Sequence, residues 1–298
     1  MRRYGFIGLG IMGKPMCKNL LKKTGGPVVV YDINDAPVQE LVALGAQRAD
    51  SSKAVALQSD VILTMLPNSP DVKAAVLGPG GVLEGARPGA ILVDMSSIAP
   101  LAAQEIAARA CQAGVEMLDA PVSGGEPKAI AGSLAFMVGG KESVFEQMKD
   151  VLATMGASVT HVGAIGSGNL TKLANQIIVA LNIAAVSEAL VLAVKAGVDP
   201  EKVYQAIRGG LAGSTVLDAK APLMLQGNFK PGFRIALHIK DLQNALDTAH
   251  ELGVPVPLCS QIMEIMQALR VDGKAGDDHG GIVQFYERLA GVQVRTAP

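Results

Sequence analysis

The stretch Tyr4-Gly5-Phe6-Ile7-Gly8-Leu9-Gly10-Ile11-Met12-Gly13-Lys14 decides how this chain is read. A short apolar run leads directly into Gly8-x-Gly10-x-x-Gly13, and a helical pattern follows. In that setting each glycine has a task. The first permits a tight turn and the second lets the backbone approach a pyrophosphate. The third lets the helix sit close to the sheet, with its N-terminal amides on the anion. A second apolar run, Val28 to Tyr31, ends at Asp32, 19 positions after Gly13. A carboxylate there accepts hydrogen bonds from an adenosine ribose, so the unit predicts a dinucleotide site built from Gly8, Gly10, Ile11, Met12, Gly13 and Asp32. Asp32 would repel a 2′-phosphate and is followed by Ile33, not arginine, which predicts NAD(H) in preference to NADP(H). Lys14 and Arg48 are the cations that folding would have to bring close to reverse that preference.

Outward from this unit, β-branched runs at residues 4–8, 28–31, 61–66, 90–94, 115–119, 134–138 and 158–162 alternate with helical periodicity. Such alternation predicts an α/β Rossmann domain over residues 1–163, a mostly parallel sheet with helices on both faces. The direction of the last two strands stays open. From residue 164 to 298 helical periodicity takes over and predicts an all-α domain for substrate binding and oligomerisation. Its first helix, 167–196, would be ~45 Å long. So apolar a helix is expected to join the two domains and to lie in an oligomer interface. Asn175, Gln176, Asn182, Glu188 and Lys195 interrupt it, which fits a buried helix better than a membrane span. The tail, 294–298, reads as frayed.

Composition narrows the function. The 298 residues are 49% hydrophobic and 18% charged, enough apolar material for sizeable cores. With a formal charge of −1 there is no electrostatic footprint for nucleic acid or an anionic membrane surface. Cys17, Cys111 and Cys259 are isolated from one another, and His161, His238, His250 and His279 show no ligand spacing. Neither a disulfide framework nor a metal site is expected. The basic start, Met1-Arg2-Arg3, is followed by an apolar run that glycines break, so it reads as a strand and the protein as cytoplasmic.

In an open α/β sheet ligands lie beyond the carboxyl ends of the strands. Those ends carry Leu66-Pro67-Asn68, Asp94-Met95-Ser96-Ser97 and Asp119-Ala120-Pro121-Val122-Ser123-Gly124-Gly125. Ser123, Gly124 and Gly125 can offer a hydroxyl and successive amides to a carboxylate, although a plain turn has the same composition. Lys172, Asn175 and Gln176 fall at i, i+3 and i+4 on the long helix and share a face. Polar groups on so apolar a helix need partners. Burial and the helix dipole would push a lysine there toward its neutral form, useful in proton transfer, while an ammonium reaching solvent is the ordinary alternative. Lys240-Asp241, downstream of Phe233-Arg234, has the look of a solvated surface pair.

Four motifs together resemble the β-hydroxyacid dehydrogenase family, of the 3-hydroxyisobutyrate dehydrogenase-like kind, across essentially the whole chain. They are the segment from Phe6 to Met16, Asp119 to Gly125, Gly166-Ser167-Gly168-Asn169-Leu170-Thr171-Lys172, and Lys240-Asp241. The resemblance implies Lys172 as the catalytic residue and Ser123, Gly124 and Gly125 as the substrate carboxylate anchor. It implies Leu66, Pro67, Asn68 and Ser97 on loops lining the cofactor, and Lys240, with Phe233 before it, on the nicotinamide side. Asn175 and Gln176 are then expected to orient substrate oxygens. Gln176 stands where the family often has Asn, and Cys17 replaces a small residue, a change expected to affect packing alone.

Two further stretches, 94–100 and 209–217, resemble the branch that reduces tartronate semialdehyde to D-glycerate with NADH. Oxidation of 3-hydroxyisobutyrate and reduction of succinic semialdehyde remain alternatives within the family. A non-catalytic NAD-binding module is the alternative outside it. A homodimer or homotetramer is implied, acting on a small carboxylated semialdehyde or hydroxyacid, with no nucleic-acid or membrane partner.

Overall fold

A computed structural model describes residues 2–295. The chain forms two compact units that divide between Lys172 and Leu173. The first begins β1 (Tyr4–Ile7), α1 (Gly13–Thr24), β2 (Val28–Tyr31), α2 (Asp35–Val42), β3 (Gln47–Arg48), α3 (Ser52–Leu57), β4 (Val61–Thr64) and α4 (Ser69–Leu77). It continues with β5 (Ile91–Asp94), α5 (Pro100–Gln112), β6 (Glu116–Asp119), β7 (Val122–Ser123), α6 (Gly125–Ala131), β8 (Leu134–Gly140), α7 (Glu142–Ala153) and β9 (Gly156–Gly163).

The strands run in the order β3-β2-β1-β4-β5-β6-β8-β7, with β9 also on β8. From β3 to β6 all neighbours are parallel. β8 reverses against β6 and β7, and β9 runs parallel to β8. The two strands of open direction therefore extend the sheet. Alternation along each strand explains the two layers of helix. Phe6, Val28, Val30, Val61, Leu63 and Val93 join a core with Met16 and Leu20 of α1 and Met148 of α7. Ile7, Val29, Ile62 and Leu92 join a second core with Val55 of α3, Val76 of α4 and Ile106 of α5. Strands covered on both faces read as continuous apolar runs, which is why they stand out in the sequence. Cys17 lies fully buried in the first of these cores, as a packing residue.

α8 (Ser167–Lys195) crosses the division between the units. The second unit adds α9 (Pro200–Ile207), α10 (Thr215–Gln226), α11 (Ile235–Glu251), α12 (Pro257–Val271) and α13 (Val283–Ala290). By length and composition α8 would be long enough to cross a membrane. Its residues Ala180, Ile183, Ser187 and Leu190, spaced three and four apart, are buried, and the apolar ones join the core with Leu217, Leu242 and Met266. Ile178 and Leu192 on the same helix are 61% and 71% exposed. The tail is better anchored than its composition suggests. Val294 is buried and donates its main-chain N–H to Glu287 Oε1 at 2.7 Å. Residues 296–298 of the predicted frayed tail lie outside the described residues.

Candidate active site

In the first unit the strand register aligns one edge of the sheet. Ile7 pairs with Tyr31 and Thr64, Thr64 with Asp94, and Asp94 with Asp119. The chain leaves all five strands at that edge; the predicted cofactor segments follow the first four exits and the predicted carboxylate anchor follows the fifth.

The glycine turn is tied to the strand beside it. Gly8 N–H donates to Tyr31 O at 3.0 Å, and Leu9 N–H donates to Asp32 Oδ2 at 2.6 Å. Asn34 N–H takes the other Asp32 oxygen at 2.7 Å. Asp32 thus holds the turn and its own loop together. A Cβ at Gly13 would collide with the Gly8 carbonyl oxygen, whereas a Cβ at Gly10 meets no atom within 4 Å. Gly13 is needed by the fold itself. Gly10 faces a cleft of about 650 Å³ that Leu9, Ile11, Asp32 and Asn34 also line. Met12 precedes α1 as its N-cap residue. The cations named from the sequence are already engaged. Lys14 and Lys18 both pair with Glu40 and hold its carboxyl down to about 2. Arg48 pairs with Asp35 and Asp50.

Two further loops are brought together. Leu66 N–H donates to Ser96 Oγ at 2.8 Å, and Ala99 N–H donates to Ser69 Oγ at 3.1 Å. Asn68, after Pro67, is the N-cap of α4, its Oδ1 accepting Ser69 N–H at 2.8 Å. Ser97 lies in the opposing loop. Beneath them Asp94 is fully buried. Its Oδ1 accepts from Thr64 Oγ1 at 2.7 Å and Ser96 Oγ at 2.6 Å. Its Oδ2 has no hydrogen-bond partner among the described residues, and desolvation raises the carboxyl to about 6. Asp94 supports the loops from below; it does not line the cleft.

Ser123 is not on an open loop: it pairs with Ala135 in the two-residue strand β7. Gly124 and Gly125 follow with φ of 139° and 69°, conformations that a side chain would strain, and α6 starts there. Ser123 and Gly125 are half-buried and Gly124 is exposed.

Asp119 does work that sequence reasoning missed. Its two oxygens accept the main-chain N–H groups of Gly166 at 2.8 Å and Asn169 at 2.7 Å. Asn169 Oδ1 accepts Ile98 N–H at 3.0 Å. The first turn of α8 is therefore pinned to β6 and to the loop that carries Ser97. Lys172, three residues further along the helix, is only 7% exposed. Desolvation raises the Asp119 carboxyl to about 6, against the pull of those hydrogen bonds.

In the second unit the polar residues of α8 meet α11. Asn175 Nδ2 donates to Gln176 Oε1 at 2.8 Å, and Gln176 Nε2 donates to Asp241 Oδ2 at 2.6 Å. Lys240 Nζ lies 2.9 Å from Asp241 Oδ1, with side-chain exposures of 18% and 2%. The expectation of a solvated surface pair is corrected: Asp241 is buried and Lys240 half-buried, and Asp241 is turned to Gln176 of α8. Phe233 donates its N–H to Asp278 Oδ2 at 3.0 Å, and its ring meets those of His238 and His279 edge-on. That histidine pair was judged in the sequence for metal spacing alone. Only its 41-residue separation, closed by folding, makes it a unit. Among the described residues no three of His, Cys, Asp or Glu gather as a metal-binding group.

Comparison with known proteins agrees with both units. Residues 3–163 match the family model described as the NAD binding domain of 6-phosphogluconate dehydrogenase. Residues 166–286 match that described as NAD-binding of NADP-dependent 3-hydroxyisobutyrate dehydrogenase. The chain is 43% identical over 288 residues to 2-hydroxy-3-oxopropionate reductase of Escherichia coli, covering 97% of this chain and 98% of that one. It is 40% identical to 2-(hydroxymethyl)glutarate dehydrogenase of Eubacterium barkeri, covering 98% and 97%. Among solved structures, 3-hydroxyisobutyrate dehydrogenase of Mycobacterium tuberculosis with L-serine superposes with a TM-score of 0.88 at 34% identity, covering 96% and 99%.

Proposed function

The chain belongs to the 3-hydroxyisobutyrate dehydrogenase-like β-hydroxyacid dehydrogenases, NAD(P)-dependent oxidoreductases, and from that premise we propose that it reduces tartronate semialdehyde (2-hydroxy-3-oxopropanoate) to D-glycerate, reversibly, with NADH. The observation that carries the reading is the placement of Lys172, buried and following a helix turn that Asp119 and Asn169 fix to the sheet.

The residues present fit a dinucleotide. Gly10 leaves open space beside the cleft, and Asp32 sets a carboxylate against it. Gly8 to Gly13 and Asp32 would hold the adenosine and pyrophosphate, and Leu66, Pro67, Asn68, Ser97, Phe233 and Lys240 would line the remainder. When bound, the nicotinamide supplies a hydride to the aldehyde carbon. Ser123, Gly124 and Gly125 anchor the substrate carboxylate, and Asn175 orients its oxygens. Lys172, as ammonium, polarises the carbonyl and donates a proton to the developing alkoxide; in the reverse direction its neutral amine is the base. The preference for NADH is supported by Asp32 and by the engagement of Lys14 and Arg48 with carboxylates, which leaves a 2′-phosphate facing a like charge. The exposed Ile178 and Leu192 on α8 support a homo-oligomer, since apolar side chains of that size gain by being covered.

A second reading, a longer or branched substrate such as 3-hydroxyisobutyrate or succinic semialdehyde, is favoured by the likeness to 2-(hydroxymethyl)glutarate and 3-hydroxyisobutyrate dehydrogenases. A panel of three- and four-carbon semialdehydes and hydroxyacids at fixed cofactor tests both. The highest kcat/KM with tartronate semialdehyde supports the first reading, and a higher value with any other member overturns it.

A further inference from the structure

Gln176 is 4% exposed, and both ends of its side-chain amide are bonded within the second unit, to Asp241 and to Asn175. An ionised carboxylate only accepts, so Asp241 settles which end of the Gln176 amide is nitrogen. The oxygen then faces Asn175, whose Nδ2 must donate to it. One carboxylate thereby orients two amides in succession.

The main chain at the same residue is held as well. Gln176 O receives His238 Nε2 at 3.2 Å, and His238 Nδ1 lies 2.9 Å from His279 Nδ1. A carbonyl oxygen cannot donate, so Nε2 of His238 carries a proton. In the neutral ring Nδ1 is then an acceptor, and His279 must present Nδ1–H to it. His279 is placed in turn by its neighbour. Asp278 pairs with Lys220 at 2.8 Å and accepts the N–H groups of Gly232, Phe233 and Gly280, while His279 N–H donates to Phe233 O at 2.8 Å. Donors and acceptors run in one sense from the Asp278 turn to Gln176.

We propose that Asp241, His238, His279 and Gln176 are positioning residues that fix the orientation of the Asn175 amide toward substrate, and that Gln176 does not itself touch substrate. The inference rests on the reading of Asn175 as a substrate-binding residue. It replaces the direct role expected for Gln176 with an indirect one, because the side chain is 4% exposed and each end of its amide is already bonded to a neighbouring side chain.

The test compares His279→Leu, His279→Asn and Gln176→Met in the full-length protein. Asn can place Nδ2 near the position of the histidine Nδ1 and so keep the donor to His238, whereas Leu removes it. Gln176→Met keeps the volume and leaves the histidine pair intact. For His279→Leu and Gln176→Met the expected result is a KM for the preferred semialdehyde about tenfold higher, with kcat within about threefold and the Kd for NADH unchanged. His279→Asn should restore the parental KM. If His279→Leu does not fold, Gln176→Met reads the same quantity. An unchanged KM in Gln176→Met, with the parent active, overturns the positioning role alone. A parent inactive on every semialdehyde overturns the underlying reading too, so the two failures are distinguishable.

Discussion

The carboxylate of Asp119 accepts the main-chain N–H of Asn169 at 2.7 Å, so the end of a central strand and the first turn of the helix bearing Lys172 are joined by a buried, charge-assisted bond. The second oxygen holds Gly166 N–H in the same way. Asp119→Ala leaves both donors buried without an acceptor, at about 1–3 kcal/mol each. Urea unfolding should report a loss of about 2–6 kcal/mol. A shift of Lys172 by about 1 Å should also lower kcat by about a hundredfold. A normal kcat in a folded variant would separate this bond from the placement of Lys172.

Asp94 and Asp119 give stability an unusual pH dependence. Burial raises both carboxyls to about 6, above the ordinary 3.8. Between those values the folded chain binds more protons than the unfolded one, so the contribution of these groups falls as pH rises from 4 to 6 and is flat above. For Asp94 the whole difference is on the order of 3 kcal/mol. Asp94→Asn, which imitates the protonated acid, should be more stable than the parent at pH 8 by about 1–3 kcal/mol and show no advantage at pH 4. Denaturant titrations at pH 4, 6 and 8 check this; parallel curves for parent and variant would count against it.

The glycines of the turn should separate folding from cofactor binding. A Cβ at Gly13 collides with main chain, so Gly13→Ala should be poorly soluble or strongly destabilised. Gly10→Ala meets nothing in the protein and should keep its Tm, while the Kd for NADH rises by about tenfold or more because the added methyl blocks the pyrophosphate. Calorimetry with NADH distinguishes the two variants. Parental affinity in Gly10→Ala would place the dinucleotide elsewhere.

Lys172→Ala should lower kcat by about 10²–10⁴, the usual contribution of a positioned acid, with little change in NADH affinity. Steady-state rates beside fluorescence titration of NADH make the comparison, and a near-normal kcat removes Lys172 from the chemistry.

Asp32→Ala should weaken NADH and improve NADPH, narrowing the ratio of their kcat/KM values by about tenfold or more, since the like charge facing a 2′-phosphate is gone. An unaltered ratio would mean that another group sets the preference.

Much of the first unit was legible because its strands are buried on both faces, so runs such as Ile91 to Asp94 and Val61 to Thr64 announce themselves without an alternating pattern. The glycine turn was legible because close approach of backbone to backbone admits one residue type. β3 escaped notice because Gln47 and Arg48 are exposed and polar, and β7 because two residues carry no period. The polar network of the second unit was hidden for a different reason. Asp241 lies 65 residues from Gln176, and His279 lies 41 from His238. Local sequence holds no trace of such pairings. Lys240-Asp241 misled because an adjacent opposite pair is ordinary on a surface, and only the packing of α11 buries Asp241 and half-buries Lys240.

The space around Asp119 also limits how this chain can change. A side chain at Gly139 would strike Asp119 Oδ1 and come within 2.8 Å of the Gly168 nitrogen. One at Gly168 would strike Asp119 O and lie 2.9 Å from Asp119 Oδ2. The three positions form a lock in which no member is exchanged without cost: enlarging either glycine displaces the acid, and removing the acid strands the amides it serves. Substitutions here should be strongly non-additive. Single substitutions at the root of α8 should therefore cost more than those at exposed glycines such as Gly45 and Gly253, where an added Cβ meets no atom within 4 Å.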